Sequence, residues 1–223
     1  MDELYTVLFV LVIVLLCVVL IWLWSLETKP SLVPKSITQS KDTLSVGAKT
    51  IYFGGPLFSV QQIIGNDALV NAIESKSLYR FVVPQRFEQV NHENLDAIRN
   101  QDLNALLACD GVLINADGTD LDDGMVVEFM VGKTAAKPTV INTTDYRRFS
   151  VDTLYNLMLL SFPATVYINS DALAMYRKHG DNLINVVADQ IIIALDQAFA
   201  LPNPEGVSIP RVRELYNIAT PGT

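Results

Sequence analysis

Between positions 122 and 128 the chain reads Asp-Asp-Gly-Met-Val-Val-Glu, which sets one carboxylate in a loop six positions before a second on the first turn of a helix. Two carboxylates so placed suit a reaction in which one attacks while the other gives a proton to a leaving group. Glu128 lies four positions after Gly124, one helical turn, so its carboxylate projects back over the face that Gly124 leaves unobstructed. The positive end of that helix favours an anion, and an ionised Glu128 is the expectation. Asp117, Asp120, Asp122 and Asp123 crowd the same loop, where like charges push a carboxyl toward holding its proton. Helix capping alone accounts for one or two of these aspartates but not for all of them.

Two more segments carry chemistry-bearing residues. In Tyr52-Phe53-Gly54-Gly55-Pro56-Leu57-Phe58 the glycines let backbone approach a ligand closely, although a tight turn of small residues explains them equally well. Neither a G-x-G-x-x-G nor a G-K-[ST] follows, so no dinucleotide fingerprint or phosphate loop is supported. In Asn100-Gln101-Asp102-Leu103-Asn104, the leucines at 103, 106 and 107 form a core stripe that Asp102 and Asn104 leave. Spacing alone reads Asp102 as part of a solvated helix face. His92 and His179 have no Cys or carboxylate at metal-ligand spacing, so neither a metal nor another cofactor is expected. Ser, Cys and His assemble into no nucleophilic set, which leaves carboxylate chemistry.

The elements that must hold these residues alternate. Strands are predicted at 51–53, 79–83, 111–116, 139–143 and 164–168. Helices are predicted after Ser59, from about Leu95 to Leu107, from about Gly124 to Thr134 and from about Asp181 to Ala200. Such alternation predicts a three-layer α/β/α domain with a five-stranded parallel sheet, Rossmann-like or flavodoxin-like. The acidic loop would then sit at a strand's carboxyl end, where open α/β sheets bind ligands.

The order of these motifs resembles the nucleoside 2-deoxyribosyltransferase family. Ile51 to Phe58 is similar to the family's opening I-Y-F-x-G strand and loop, Asp102-Leu103-Asn104 to its D-L-N, and Asp122-x-Gly124-x-x-x-Glu128 to its D-x-G-x-x-x-E. Gly132-Lys133 with Lys137-Pro138 stands where the family has G-K-P, and Asn156-Leu157-Met158 resembles its N-L-M. The resemblance implies retaining N-glycosyl transfer, with Glu128 as nucleophile, Tyr52 orienting it, and Asp122 and Asp102 holding and protonating the base. It also implies that Asn156 reaches the sugar in a neighbouring subunit's site, hence a homo-oligomer. Gly54, Gly55 and Gly124 belong to the substrate-binding set, with Phe58 as a stacking candidate and Gln85 as a base contact. Three readings of the activity stand: transfer of deoxyribose to another base; hydrolysis of a deoxynucleoside, a nucleotide or a nicotinamide dinucleotide; and a membrane-tethered nucleotide-binding or signalling module without turnover.

The chain's ends and composition bound the setting. Val7 to Trp24 is an uncharged apolar run of 18 residues, close to what a bilayer core requires, with Trp22 and Trp24 at one interface. Asp2 and Glu3 replace the basic start of a signal peptide, so an uncleaved anchor over 1–25 is the expectation. Lys29, Lys35, Lys41 and Lys49 all follow the span and no Lys or Arg precedes it, which predicts a single-pass membrane protein with a cytoplasmic domain. Cys17 and Cys109 offer no structural disulfide pair, in keeping with a reducing compartment. Residues 26–49 read as a linker, 50–200 as the folded domain, and 201–223 as a tail that docks on another subunit. A formal net charge of −8 argues against a nucleic-acid polymer and for a small polar ligand such as a nucleoside or nucleotide.

Overall fold

Short apolar runs become buried parallel strands, and the amphipathic stretches between them become the helices that cover the sheet. The computed structural model describes residues 47–87, 94–118, 120–145 and 159–221. In chain order these form β1 (Lys49–Gly54), α1 (Val60–Lys76), β2 (Tyr79–Val82), α2 (Leu95–Ala108), β3 (Gly111–Asn115), α3 (Asp123–Thr134), β4 (Thr139–Thr143), β5 (Thr165–Asn169), α4 (Ala172–His179), α5 (Leu183–Ala200) and α6 (Ile209–Leu215). The sheet order is β2-β1-β3-β4-β5, and every pairing is parallel. The predicted three-layer α/β fold is therefore present.

Alternation along each strand decides which side chains meet which helices. Tyr52, Val112, Ile114 and Ile141 face Leu103 and Leu106 of α2 and Met125 and Phe129 of α3. Ile51, Phe53, Leu113 and Val140 face Leu69, Val70 and Ile73 of α1 and Ile191 and Leu195 of α5. With both faces covered, the inner strands carry continuous apolar runs rather than an alternating pattern. From β1 the chain crosses to β2 on one side and then to β3 on the other, so a crevice opens between β1 and β3 at their carboxyl ends.

Local signals set the helix boundaries. Ser59 and Gln62 cap α1 reciprocally, Asn94 caps α2, and Asp122 accepts from the Met125 amide to start α3 one residue before the predicted Gly124. Strand β2 stops at Val82, before the predicted Val83, because Pro84 opens a 3-10 turn over Pro84–Arg86 and cannot donate to a ladder. The last long helix begins at Leu183, after a separate turn around Gly180, whose φ of 53° suits glycine.

Two lysines stitch the layers. Lys133, in the last turn of α3, donates to Lys137 O, Thr139 Oγ1, Pro163 O and Thr165 Oγ1, tying the helix end to β4 and β5. Its burial among neutral acceptors lowers its pKa to about 8. Lys137 donates to the carbonyls of Leu107 and Cys109, at the negative end of α2.

Residues 201–221, read from the sequence as a tail docking elsewhere, pack on the same domain, where Val212 and Ile218 join the α2–α3 side of the core. Arg99 donates to the carbonyls of Tyr216 and Asn217, and Asn104 to that of Ala219. Asn104 of the D-L-N motif thus anchors the C-terminal segment. Among the described residues, Ala172–Ala200 is the stretch long and apolar enough to cross a membrane, but α5 buries Val187, Ile191 and Leu195 against the sheet as a core helix does. The expected anchor at Val7–Trp24, most of the linker and Asn156 lie outside the described residues.

Candidate active site

Tyr52 sits in the middle of β1 with no exposed surface, and its hydroxyl donates to Glu128 Oε1 at 2.6 Å. Two residues on, and so on the same face of the strand, lies Gly54. A Cβ there would stand 2.7 Å from Glu128 Oε2 and 2.9 Å from Ile114 Cδ1, so only glycine leaves room for the carboxylate. The sequence suggested that the Gly54-Gly55 backbone approaches a ligand. In the structure Gly54 accommodates Glu128, while Gly55 is packed against Asn115, whose Cβ and carbonyl oxygen would lie 3.0 and 3.1 Å from an added Cβ.

Around this pair a cavity of about 460 Å³ opens at the carboxyl ends of β1 and β3. Gly55, Leu57 and Phe58 line it from the β1 loop, Gln101 and Asp102 from α2, and Asp122, Gly124 and Glu128 from α3. Nearly all the residues singled out in the sequence therefore come together. Phe58 stands at the rim, 75% exposed. Gln85 lines the cavity from the 3-10 turn, but its amide is engaged on α1, accepting from Asn66 Nδ2 at 3.1 Å and donating to Ile63 O at 3.0 Å. Asn156 falls in the undescribed stretch.

The acidic loop divides by position. Asp122 lines the cavity and also caps α3, its Oδ1 accepting from Met125 N at 2.8 Å. Asp117 instead ties the end of β3 to the end of β4, accepting from Thr144 N, Thr144 Oγ1, Thr143 Oγ1 and Asp145 N. Asp120 and Asp123 are exposed and outside the cavity. Asp102, which spacing alone placed on a solvated face, is half-buried in the cavity wall, and burial raises its pKa to about 6. Ile98, one turn before Asp102 on α2, lines the wall as well. Sequence reasoning passed over it, although spacing of four already put it on the same face.

The expectation of an ionised Glu128 rests on the helix end, and burial opposes it. Burial pushes its pKa from 4.5 up to about 7, the Tyr52 hydrogen bond opposes the rise, and Asp102 and Asp122 add to it. The helix end does not prevent this because Glu128 sits beyond the first turn, where the free amide groups are, and the dipole's influence falls off quickly. Burial and the neighbouring glutamate carry the Tyr52 hydroxyl well above its usual range, so it remains a donor at neutral pH.

A raised carboxyl pKa has a consequence for stability. Glu128 holds its proton more tightly folded than unfolded, so stability falls as pH rises from about 4.5 to about 7 and stays lower above that. Glu128→Gln keeps an acceptor for Tyr52 and removes the ionisation. The variant is expected to be more stable than the wild type at pH 8 by about 2 kcal/mol, after allowance for solvent in the open cavity, with the advantage vanishing by about pH 4.5. Melting temperatures of both proteins across that range check it; a variant less stable at pH 8 would contradict the burial of this charge.

No metal-binding cluster of His, Cys, Asp or Glu occurs among the described residues. The groups present offer a carboxylate, an orienting phenol and two further carboxyls, one of them with a pKa near neutrality.

Comparisons with known proteins add the following. A family model described as nucleoside 2-deoxyribosyltransferase matches residues 51–197, more than half of the chain. No curated protein matches. Among solved structures, a conserved protein from Enterococcus faecalis V583 is 21% identical with a TM-score of 0.44, covering 77% of this chain and 97% of its own. The 2-desoxiribosyltransferase from Leishmania mexicana is 22% identical with a TM-score of 0.43, covering 59% of this chain and 99% of its own. A 2-deoxyribosyltransferase from the psychrotolerant bacterium Bacillus psychrosaccharolyticus is 17% identical with a TM-score of 0.41, covering 52% and 84%.

Proposed function

Since the chain belongs to the nucleoside 2-deoxyribosyltransferase family, we propose that it cleaves the N-glycosidic bond of a 2′-deoxynucleoside and transfers the sugar to another base. The observation that carries this reading is the Tyr52–Glu128 hydrogen bond of 2.6 Å at the wall of a cavity that also holds Asp102 and Asp122. Its volume of about 460 Å³ lies within the usual range for a small-molecule site.

In the first step an ionised Glu128 oxygen bonds to the anomeric carbon as the carbon–nitrogen bond breaks. The electron pair goes to the base nitrogen, and Asp102, with a pKa near 6, or Asp122 supplies the proton. The resulting glycosyl ester is opened by a nitrogen of the incoming base, whose proton returns to Asp102 or Asp122 as the Glu128 carboxylate is restored. Two displacements at one carbon retain the anomeric configuration. Tyr52 fixes the nucleophile and favours its ionised form, since its hydrogen bond opposes the effect of burial. Phe58 stacks on the base, while Gly55 and Gly124 keep the cavity walls low.

The test is incubation with a panel of 2′-deoxynucleosides with and without a free acceptor base, followed by chromatography. Exchange of the base is expected, and free deoxyribose alone would replace transfer by hydrolysis. Because Glu128 must be ionised to attack while Asp102 must hold its proton, kcat/KM should peak between about 6 and 7 and fall toward tenfold per pH unit below about 6. A rate flat down to pH 5 would remove Glu128 from the nucleophile's role, and no turnover of any member of the panel would remove the reading itself.

Two features of the setting belong to the same proposal. The apolar run at Val7–Trp24 anchors the domain on the cytoplasmic face of a membrane, and carbonate-resistant recovery in the membrane fraction tests the anchor. Asn156 completes the site of a second copy, so light scattering should give an oligomer and Asn156→Ala should impair turnover.

A further inference from the structure

A second cavity, of about 320 Å³, lies at the carboxyl edge of the sheet on the face opposite Glu128, between the sheet and helices α1 and α5. The β1 loop separates the two: Gly55 lines the first cavity and Pro56 the second. Its floor holds two carboxamides from adjacent strands, Asn115 of β3 and Asn142 of β4, register partners on strands about 4.8 Å apart whose side chains leave the same face of the sheet. Asn142 is 1% exposed, and neither Asn142 Oδ1 nor Asn115 Oδ1 has a hydrogen-bond partner. Two buried acceptors left open side by side in a cavity floor are a costly arrangement unless something donates to them.

The walls say what kind of donor. Leu69 of α1 and Leu183 and Val187 of α5 make most of the surface apolar. Among the described residues no lysine or arginine lines the cavity to hold an anion, and the Asp117 carboxylate at its edge repels one. That carboxylate is already occupied by Thr143, Thr144 and Asp145, and the apolar walls disfavour a full cation. We propose that this cavity is a second ligand site, taking a flat, uncharged heterocycle of the nucleobase type whose N–H groups donate to Asn115 and Asn142 while its faces lie against Leu69 and Val187. It stands apart from the catalytic cavity and does not depend on the reaction proposed for it.

Gly65 provides a gentle way to close the site. It lines the cavity from α1, and a Cβ added there meets nothing within 4 Å, so Gly65→Phe adds a ring at the cavity wall from a position where its Cβ has room. Asn142→Leu removes one acceptor at similar volume. Full-length protein in detergent, with adenine, cytosine and nicotinamide as probes, is titrated calorimetrically alongside Gly65→Phe, Asn142→Leu and Glu128→Gln. The expected result is a binding event for at least one probe that survives Glu128→Gln and weakens about tenfold or more in both other variants, as when a polar contact is left unmade. Gly65→Phe should keep the wild-type rate on deoxynucleosides if that activity is found, and the binding result stands whether or not it is. If every binding event survives both Gly65→Phe and Asn142→Leu, or if Asn142→Leu only raises the melting temperature and no probe binds, the carboxamides face water alone and the site is overturned.

Discussion

Replacing Glu128 by Gln is expected to lower deoxynucleoside turnover on the order of 10³-fold or more while leaving substrate binding nearly intact. The amide is close in shape to the carboxylate and still accepts from the Tyr52 hydroxyl, whose bond to Glu128 Oε1 is 2.6 Å. What is lost is the electron pair that attacks the anomeric carbon, and removing a nucleophile abolishes a step rather than weakening it. Rapid quench of the wild type with a deoxynucleoside, digestion and mass measurement of the peptides should place a deoxyribosyl ester on the peptide carrying Glu128, absent from the variant. Near-wild-type turnover by Glu128→Gln, or an inverted product anomer, would exclude the covalent mechanism. The same substitution should stabilise the fold at pH 8, so lost activity and raised melting temperature in one variant would mark a charge kept at a cost to stability for its chemistry.

Gly54→Ala tests how closely the strand holds the nucleophile. The new Cβ would lie 2.7 Å from Glu128 Oε2 and 2.9 Å from Ile114 Cδ1, both too close to stand. Ile114 is fully buried in the core, and Glu128 is held by Tyr52, so the carboxylate must move. A shift near 1 Å at a reacting atom costs about 10²-fold in rate. Overpacking at Ile114 should cost a further 1–3 kcal/mol or so in stability. Gly65→Ala is the control, since a Cβ there meets nothing and a helical alanine is favoured over glycine by roughly 0.5–1 kcal/mol. Gly54→Ala should thus fall in kcat with a lower melting temperature, and Gly65→Ala should rise slightly in melting temperature with its rate unchanged. Equal rates in both variants would show that Glu128 has room to spare.

Much of the layout was already legible along the chain. Short apolar runs alternating with amphipathic stretches allow a parallel sheet covered on both faces, and the strand pattern around Val112 and Ile141 is continuous because neither side meets water. Spacing also placed Asp122 at a helix start and Glu128 one turn after Gly124 on the same helix, because helix periodicity is a local property of the sequence. Tertiary packing decided the rest. Local spacing could not tell that Asp102 is drawn into the cavity wall, that Asp117 serves the end of β4, or that Asn104 secures the C-terminal segment, since each partner lies far away in sequence. The dipole argument for an ionised Glu128 used only its own helix. Its proton affinity is raised by burial, with Asp102 and Asp122 adding and the Tyr52 hydrogen bond opposing, because burying a charge among long-range neighbours outweighs the weak field beyond a helix's first turn.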